Sequence, residues 1–584
     1  MKNRRGRSVQ SLFFSLLALF ALHPVHSAVS GNTGNRLAAS PGAAVVGNIA
    51  STLTVTSGND SGPGTLRQAI SDAMDGDTIQ FAAGLTTITL TSGAINITKS
   101  LTISGPGAGV LTVKRDSRAA PFQNFTINFG TTVSLSGLTI SGGAASFGGG
   151  ISNSGTLTIS NSIIAGNDGG GIFNGGNNGA TLTISNSTIS DNSVPSDSGG
   201  GIFNYFGSTL TLINNTISGN SARYGGGIFN GGTLTISNNI ITGNSGGDLG
   251  GAGISNGGGT LTISNSTISD NSTLGGSGGG IWNTGKLMIS NTTISGNSAI
   301  NFGFGGGVLN GGTATISNST IAGNLASLGG GGIINGGTLT INNSTIYDNS
   351  TTYDYGGGIE NQGTMLNLNS SIVANNTAPP GGPDIFGAVT TGDYNLIKNI
   401  SGISGSLPGT HNLTGVDPRL GPLQNNGGPT PTKALLAGSP AIDQGKNFTA
   451  ATNDQRGVGF VRTFDDPAVM NAGGGDGTDI GAFEVQPRFN LCIQDDGSGN
   501  LLQINTTTGE YQFTNCGGLT VGGTGTLTKR GSLITLQHNA SDRRVMATID
   551  TTTNKATASL QLLSQGRTFS ITDRNITNNT CACR

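Results

Sequence analysis

Aspartates in a repeated part of this sequence are the first candidates for chemistry, because clustered carboxylates act as acids, bases or metal ligands. Asp191, Asp270 and Asp348 occupy the same position of the repeat, but three repeat units separate each from the next. If each unit is one coil of a stacked β-structure, the gaps are about 14 Å, at about 4.8 Å per coil. Carboxylates that far apart cannot share one water or one cation, so we assign no catalytic residue, metal site or cofactor here.

A row of large apolar residues offers a second chemistry, the stacking of sugar rings on aromatic side chains. One position in each unit, directly after an isoleucine or valine, reads Ser152, Phe173, Phe203, Phe229, Ser255, Trp282, Leu309, Ile334 and Glu360. In a strand this residue faces away from the core, and an exposed apolar stripe often marks an interaction surface. We predict that Phe173, Phe203, Phe229 and Trp282 line a glycan-binding or partner-binding face. The alternative is that a loop, with Tyr205 and Phe206, covers the stripe.

The unit that positions these residues recurs nine times, as in GGGIFNGGTLTISNNIITGNS at residues 225–245. Its first apolar residue stands at Ile151, Ile172, Ile202, Ile228, Ile254, Ile281, Val308, Ile333 and Ile359. A period near 26 residues indicates a solenoid, because a propeller blade needs about 40 residues. Helical periodicity is absent from the repeats.

Three strand-like pieces, GIFN, TLTIS and STISGN, make up each unit. Apolar and polar residues alternate in them with period 2, and glycine and asparagine between them permit the positive φ of sharp corners. The fold class predicted is therefore all-β, a parallel β-helix with three strands per coil and about 26 residues per coil. Leu182 and Ile184 should stack on Leu210 and Leu212 of the next coil.

Asparagine repeats as strictly as the aliphatic residues do. Side-chain amides can hydrogen bond to identical amides one coil above and below, so both rows are predicted to be structural ladders. The first ladder includes Asn174, Asn204, Asn230, Asn256, Asn283, Asn310 and Asn335. The second is Asn167, Asn192, Asn220, Asn244, Asn271, Asn297, Asn324, Asn349 and Asn375.

The pairing of GGGI with an upstream I-x-x-N, as in Ile217 to Asn220 followed by GGGI at 225–228, carries a family resemblance. It resembles the GGA-I and F-x-x-N repeats of polymorphic outer-membrane proteins and related right-handed parallel β-helix proteins, with isoleucine in place of their phenylalanine. The resemblance covers about residues 141–376. It implies a right-handed β-helix and says little about activity.

Before the repeats, a basic start and the apolar run LFFSLLALFAL indicate a secretory signal peptide over residues 1–27. We expect a flexible segment at 28–51, then a cap and degenerate coils at 52–140, before the regular repeats at 141–376. Leu66, Ala69, Ile70 and Ala73 have helical spacing. A short helix there would cover the open β edge of the first coil.

After the repeats, residues 377–485 are predicted to hold the last coils and a segment that resembles the choice-of-anchor Q region of secreted bacterial proteins. The motifs are DPRLGPLQNNGGPTPTKALLAGSPAIDQG at 417–445, NDQRG at 453–457 and GTDIGAFE at 477–484. We expect Arg456 and Asp479 to pair there.

Residues 486–584 alternate like short strands joined by Gly and Asn turns, which predicts a small antiparallel β domain. All four cysteines lie in it: Cys492, Cys516, Cys581 and Cys583. In an exported protein they are disulfide candidates, with three possible pairings left open. A zinc site is the alternative, although the spacing matches no common zinc motif.

The composition of the chain excludes some classes of binding partner. Charged residues are 10% of the chain and the net charge is -2, so no basic surface is available for nucleic acid. No stretch after the signal is long and apolar enough to span a membrane. We therefore predict a secreted or surface-associated bacterial β-helix protein that acts as a rigid adhesive or binding scaffold for an extracellular glycan or surface protein. A polysaccharide lyase or glycoside hydrolase of the pectate-lyase-like class is the alternative.

Overall fold

The structure, a computed structural model, describes residues 50–176, 179–248, 250–466, 469–486, 491–495, 500–504, 510–515, 519–550, 552–553, 555–563 and 567–577. The predicted signal peptide and residues 28–49 lie outside this part of the chain. Within it, no helix has the length and apolar character needed to cross a membrane.

Sheet 1 is built from the TLTIS segments, in which the leucine and the isoleucine point into the core and the threonines point out. Leu234 and Ile236 are fully buried, and they pair in register with Leu261 and Ile263 of the next coil. The sheet has thirteen parallel strands. They are Thr52–Val55, Thr78–Phe81, Leu101–Ser104, Thr132–Ser136, Thr156–Ser160, Thr181–Ser185, Thr209–Ile213, Thr233–Ser237, Thr260–Ser264, Lys286–Ser290, Thr313–Ser317, Thr338–Asn342 and Met365–Asn369.

Sheet 2 is built from the segments that follow the glycine runs, and Ile228 pairs with Ile254 in it. The glycine before each isoleucine is required by close approach: a Cβ at Gly227 would lie 2.6 Å from the carbonyl oxygen of Gly253. The sheet has twelve parallel strands. They are Ile95–Ile97, Phe125–Ile127, Ile151–Asn153, Ile172–Asn174, Ile202–Asn204, Ile228–Asn230, Ile254–Asn256, Ile281–Asn283, Val308–Asn310, Ile333–Asn335, Ile359–Asn361 and Ile385–Gly387.

Sheet 3 completes the coil, and its central isoleucines, such as Ile241 and Ile268, are buried. It has fourteen parallel strands. They are Thr87–Leu90, Thr112–Arg115, Thr139–Ser141, Ile163–Ala165, Thr188–Ser190, Thr216–Ser218, Ile240–Thr242, Thr267–Ser269, Thr293–Ser295, Thr320–Ala322, Thr345–Tyr347, Ile372–Ala374, Leu396–Ile397 and Leu413–Thr414. The prediction of a parallel β-helix, with the register read from the repeats, is confirmed.

A fourth sheet of seven short parallel strands differs from the prediction of three strands per coil. It forms because the residue after the second asparagine ladder stays extended and pairs with the previous coil, as when the amide of Ser221 donates to the carbonyl of Asn192. The strands are Ser193–Ser198, Ser221–Tyr224, Ser245–Gly246, Ser272–Leu274, Ser298–Ile300, Leu325–Ala326 and Ser350–Thr351.

Both asparagine rows are buried and hydrogen-bonded from coil to coil. In the first, Asn230 Nδ2 donates to Asn256 Oδ1 at 2.7 Å, and the same bond recurs along the row. The second row ends at Asn376, so the predicted last member, Asn375, is wrong. Asn375 has a φ of +56° and forms the corner before the ladder position. The final acceptor of this row is the carboxylate of Asp384, 2.9 Å from Asn376 Nδ2.

A helix at Leu66–Asp72 lies at the first coil, with Leu66, Ala69 and Ile70 buried. Thr65 caps it by accepting a hydrogen bond from the Gln68 amide, an ordinary N-cap arrangement. The helix occupies the position at which the spacing of apolar residues predicts one.

The described residues of 417–485, here called the lateral segment, lie along the outside of the last coils rather than after them. Thr320 Oγ1 donates to Gln455 Oε1 at 2.6 Å, and the amide of Ala482 donates to Thr345 Oγ1 at 3.1 Å. The outward threonines of sheet 3 are therefore buried at this end. The segment contains an antiparallel hairpin of Leu420–Gln424 and Thr432–Leu435.

The C-terminal region forms a nine-stranded antiparallel sheet. Its strands are Leu491–Asp495, Asn500–Ile504, Glu510–Asn515, Leu519–Thr524, Thr526–Arg530, Leu533–Asn539, Arg543–Asp550, Lys555–Leu562 and Arg567–Thr577. The predicted antiparallel β structure is confirmed. Of the disulfide candidates, Cys516, Cys581 and Cys583 lie outside the described residues, and only the backbone of Cys492 is described.

Candidate functional site

The residues of the predicted stripe stand in register on the outer face of sheet 2. Phe173 pairs with Phe203, and Phe203 pairs with Phe229, in successive coils. The ring centroids are 5.5 Å and 5.0 Å apart, and both pairs meet edge to face. All three rings are half-buried. Edge-to-face packing of this kind holds each ring in a fixed orientation.

Three further rings surround this row and leave more of their surface in solvent. Phe147, Tyr205 and Phe206 are 38%, 43% and 45% exposed. The Phe147 ring lies 5.8 Å from those of Phe173 and Phe203, and Tyr205 lies 5.8 Å from Phe203. The aromatic patch is therefore made of Phe147, Phe173, Phe203, Tyr205, Phe206 and Phe229.

The sequence offers Tyr205 and Phe206 only in the alternative, a loop that covers the stripe, and Phe147 is not among the predicted residues. Phe147 lies immediately before the glycine run of its coil, and three other coils carry an aromatic residue at this position, Tyr224, Phe304 and Tyr355, so the repeats hold a signal that could have found it. Phe147, Tyr205 and Phe206 flank the three central rings and enlarge the apolar surface.

Trp282, the fourth residue of the predicted face, is separate from the patch. Its side chain is only 9% exposed, and Tyr224 stacks on the indole with a centroid distance of 6.2 Å. Leu309 and Ile334 of the next two coils complete this second cluster. The structure thus brings together three of the four predicted residues.

The last position of the stripe, Glu360, is a buried carboxyl group with 3% exposure. Gln362 Nε2 donates to its Oε1, whereas its Oε2 has no hydrogen-bond partner among the described residues. Oε2 lies against the backbone of Gly329, where an added Cβ would be 1.2 Å away. Burial raises the pKa of Glu360 to about 7, although the hydrogen bond from Gln362 opposes the rise.

The repeated aspartates do not form a site. Asp191 and Asp270 stand at corners with φ near +55°, a conformation that glycine or asparagine supplies in other coils. Asp348 pairs with Lys433 of the lateral segment, with 2.9 Å between Nζ and Oδ2. Among the residues that the structure describes, no three His, Cys, Asp or Glu side chains come together as metal ligands.

Arg456 holds the interior of the lateral segment together. The predicted pair between Arg456 and Asp479 is wrong, because the guanidinium Nε and Nη2 of Arg456 donate to Asp454 Oδ2 at 2.9 Å and 2.5 Å. Phe460 and Phe483 lie 3.9 Å and 3.7 Å from the guanidinium carbon, so the cation is sandwiched between two rings. Because Arg456 is only 6% exposed and already paired, we interpret this arrangement as structural.

Asp479 instead accepts hydrogen bonds from the amides of Asp443 and Val485, at 2.8 Å and 2.6 Å. Burial raises the pKa of Asp479 to about 7 and raises the pKa of Glu484 well above its ordinary value. Arg462 Nη1 lies 3.9 Å from Glu484 Oε2. Burial and the neighbouring carboxyl groups favour the protonated forms of Asp479 and Glu484, and the positive charge of Arg462 opposes this only in part.

One Asp–His pair was not singled out from the sequence. His411 Nδ1 lies 2.8 Å from Asp393 Oδ2, and the imidazole stacks on Tyr394 with a centroid distance of 4.6 Å. Burial tends to raise the pKa of Asp393, but the hydrogen bonds from His411 outweigh it and the pKa is lowered. A Cβ added at Gly473 would lie 3.6 Å from His411 Nε2, so the chain approaches the imidazole closely at this glycine.

Comparisons with known proteins bear on the fold. No curated protein matches the sequence. Two solved structures are similar: the enzymatically active domain of tailspike protein 2 from bacteriophage CBA120, and the full-length tailspike protein 2 from Escherichia coli O157:H7 bacteriophage CAB120. They are 11% and 12% identical, and each comparison covers 87% of this chain, with 73% and 65% of the respective tailspike chains. The TM-scores are 0.25 and 0.23, too low to transfer residue roles.

Residues 124–286 match the family model described as right handed beta helix region, in agreement with the right-handed parallel β-helix of the structure.

Proposed function

We propose that this protein is a secreted or surface-associated bacterial β-helix scaffold that binds glycans through the aromatic patch. The observation that supports this function is the exposure of Phe147, Tyr205 and Phe206 on a base of three half-buried rings. The apolar faces of sugar rings pack on aromatic side chains, and a tyrosine hydroxyl adds a hydrogen-bonding group at the rim.

The rigidity of the support favours the same function. The three central rings are attached to adjacent strands of sheet 2, and the asparagine beside each ring is fixed in the first ladder. A ligand would therefore meet a surface that is ordered before binding, which reduces the entropy lost on association. Export to the cell exterior, the other part of the proposal, is supported by the basic and apolar segments at residues 1–27.

A glycan array with the purified protein tests the proposal. We expect the double variant Tyr205→Ala/Phe206→Ala to weaken binding of any glycan that the wild type captures, by roughly tenfold or more, from the loss of two stacking rings. Phe302→Ala is the matched control, because Phe302 is 78% exposed and belongs to no part of the patch. Equal binding by the double variant and the control would contradict the assignment of the patch.

An assay for unsaturated products from uronate polymers, with and without calcium, tests the lyase alternative in parallel. Product formation would replace the binding function by catalysis. Array binding without product formation supports the scaffold.

A further inference from the structure

A third row of asparagines, here called the corner row, occupies the left-handed corner between sheet 1 and sheet 3, on a different side of the helix from the aromatic patch. Asn238 is exposed, Asn265 and Asn291 are half-buried, and Asn318 and Asn343 are buried. All five have φ between +46° and +58°, so their side chains project from equivalent points of successive coils. Their exposure falls because the lateral segment covers the later coils.

A groove lies where this cover ends. One part, with a volume of about 450 Å³, is lined by Asn238, Asn265 and Asn291 on the helix and by Thr452 and Val458 on the lateral segment. An adjoining part of about 410 Å³ shares Asn238 and Asn265 and extends to Ile240 and Pro431. Pro429 lines both parts, so they form one groove along the corner row.

The amides that face the groove have hydrogen-bonding capacity to spare. Within the described residues, neither Asn238 nor Asn265 has a side-chain partner, and Asn291 uses only its Oδ1, which accepts from Asn318 Nδ2 at 2.9 Å. The covered members of the row show what these amides bind: Asn343 Nδ2 donates to the carbonyl of Lys446, and its Oδ1 accepts from the amide of Phe448. Among the described residues, Asn238 and Asn265 thus each keep an unused donor and acceptor, and Asn291 keeps an unused donor.

Apolar side chains form the walls of the groove, and the side chains that line it expose almost no charge to solvent. Ile240 is 49% exposed and Val458 is 92% exposed. The one charged residue among those that line it, Arg456, is 6% exposed and already hydrogen-bonded to Asp454. A negatively charged ligand would gain no ion pair there, so the chemistry selects a neutral molecule with many hydroxyl groups.

We propose that this groove binds a neutral, linear glycan that runs along the helix axis, with Asn238, Asn265 and Asn291 hydrogen-bonding to hydroxyl groups of successive sugars. The inference rests on the proposed glycan-binding function and adds a second site and a ligand class to it. Successive coils rise by about 4.8 Å, which is close to the length of one sugar unit in an extended chain. The apolar walls pack against the C–H faces of the same sugars.

Isothermal titration with neutral hexasaccharides of β-1,4-linked glucose, xylose and mannose tests the proposal, with a galacturonate hexamer as the charged comparison. The variant Asn238→Gly/Asn265→Gly removes two amides and keeps a residue that tolerates positive φ. Its matched control is Asn161→Gly/Asn186→Gly, at two exposed corners of the same row outside the groove. We expect at least one neutral hexasaccharide to bind wild type and control alike, and the groove variant to bind it roughly tenfold or more weakly.

Several outcomes would overturn the proposal, and they separate it from the proposed function. If a neutral hexasaccharide binds, but only Tyr205→Ala/Phe206→Ala weakens it, the groove is not a glycan site and the glycan-binding function stands. If only the galacturonate hexamer binds and the groove variant weakens it, the ligand class is wrong. If no saccharide binds the wild type here or on the array, the proposed function fails together with the groove. Arrayed peptides that bind in its place and depend on Asn238 and Asn265 would identify a peptide site.

Discussion

Replacement of Glu360 by glutamine should remove a pH dependence of stability that arises inside the stripe on sheet 2. Glu360 is 3% exposed, and it pairs in register with Ile334 on one side and Phe386 on the other. Among the described residues its Oε2 has no hydrogen-bond partner, so no donor replaces water in stabilising a negative charge on this oxygen. Glutamine has nearly the same shape and stays neutral at every pH.

The magnitude follows from the pKa of Glu360, which burial raises from 4.5 to about 7. Because the folded state favours the protonated acid, this group's contribution to stability is fully present below about pH 4.5 and is lost as the pH rises through about 7. A shift of this size corresponds to about 3 kcal/mol. We therefore expect Glu360→Gln to match the wild type near pH 4.5 and to be more stable by about 3 kcal/mol at pH 8.

Urea unfolding of both proteins at the two pH values measures this difference. Asp191→Asn is the control, because Asp191 is exposed at a corner whose φ of +55° suits asparagine, and no change is expected at either pH. A stability difference between Glu360→Gln and wild type that is the same at pH 4.5 and pH 8 would refute the reasoning. So would a variant that is less stable than wild type at pH 8.

Three further predictions concern packing. Gly227→Ala should lower the unfolding temperature markedly, because its Cβ would lie 2.6 Å from the carbonyl oxygen of Gly253; an unchanged transition in a thermal melt would contradict this. Asn230→Ala should cost about 2–4 kcal/mol in urea unfolding, because it leaves buried amides unpaired in the coils on both sides; a loss below about 1 kcal/mol would show that the ladder bonds add little. Arg456→Lys should loosen the lateral segment, because lysine cannot reproduce the bonds that both Nε and Nη2 donate to Asp454; limited proteolysis should cut the segment faster, and an unchanged cleavage rate would argue against its role.

The coils could be predicted from the sequence because each residue of a β-helix stacks on its counterpart one period later. Ile228 and Ile254, or Leu234 and Leu261, are therefore both equivalent in the repeat and adjacent in space. The same logic places Phe173, Phe203 and Phe229 in one row. Because residues one period apart are in contact, the alignment of the repeats in the sequence also gives the pairing register of sheets 1, 2 and 3.

Contacts that do not repeat could not be predicted in this way. Tyr224 stacks on Trp282 from a strand two coils away, a contact between two different positions of the repeat that the stacking of equivalent residues does not give. The lateral segment packs on Thr320 from Gln455, 135 residues later in the chain. The partner of Arg456 could not be predicted either. Asp454 and Asp479 carry the same carboxylate group, so the sequence does not distinguish them, and the local loop geometry decides which one Arg456 binds.

The side-chain hydrogen bonds of the second ladder all run in one direction along the β-helix and end at a defined residue. Every Asn of this row donates toward the C-terminus, from Asn167 to Asn192 and onward, until Asn376 donates to Asp384. An extra coil with its own asparagine would accept one bond and donate the next, so whole coils can be gained or lost by duplication or deletion without leaving an unpaired group. A carboxylate only accepts, so Asp384 terminates the series. The length of the β-helix is thus free to evolve in units of one coil, whereas its terminus is chemically fixed.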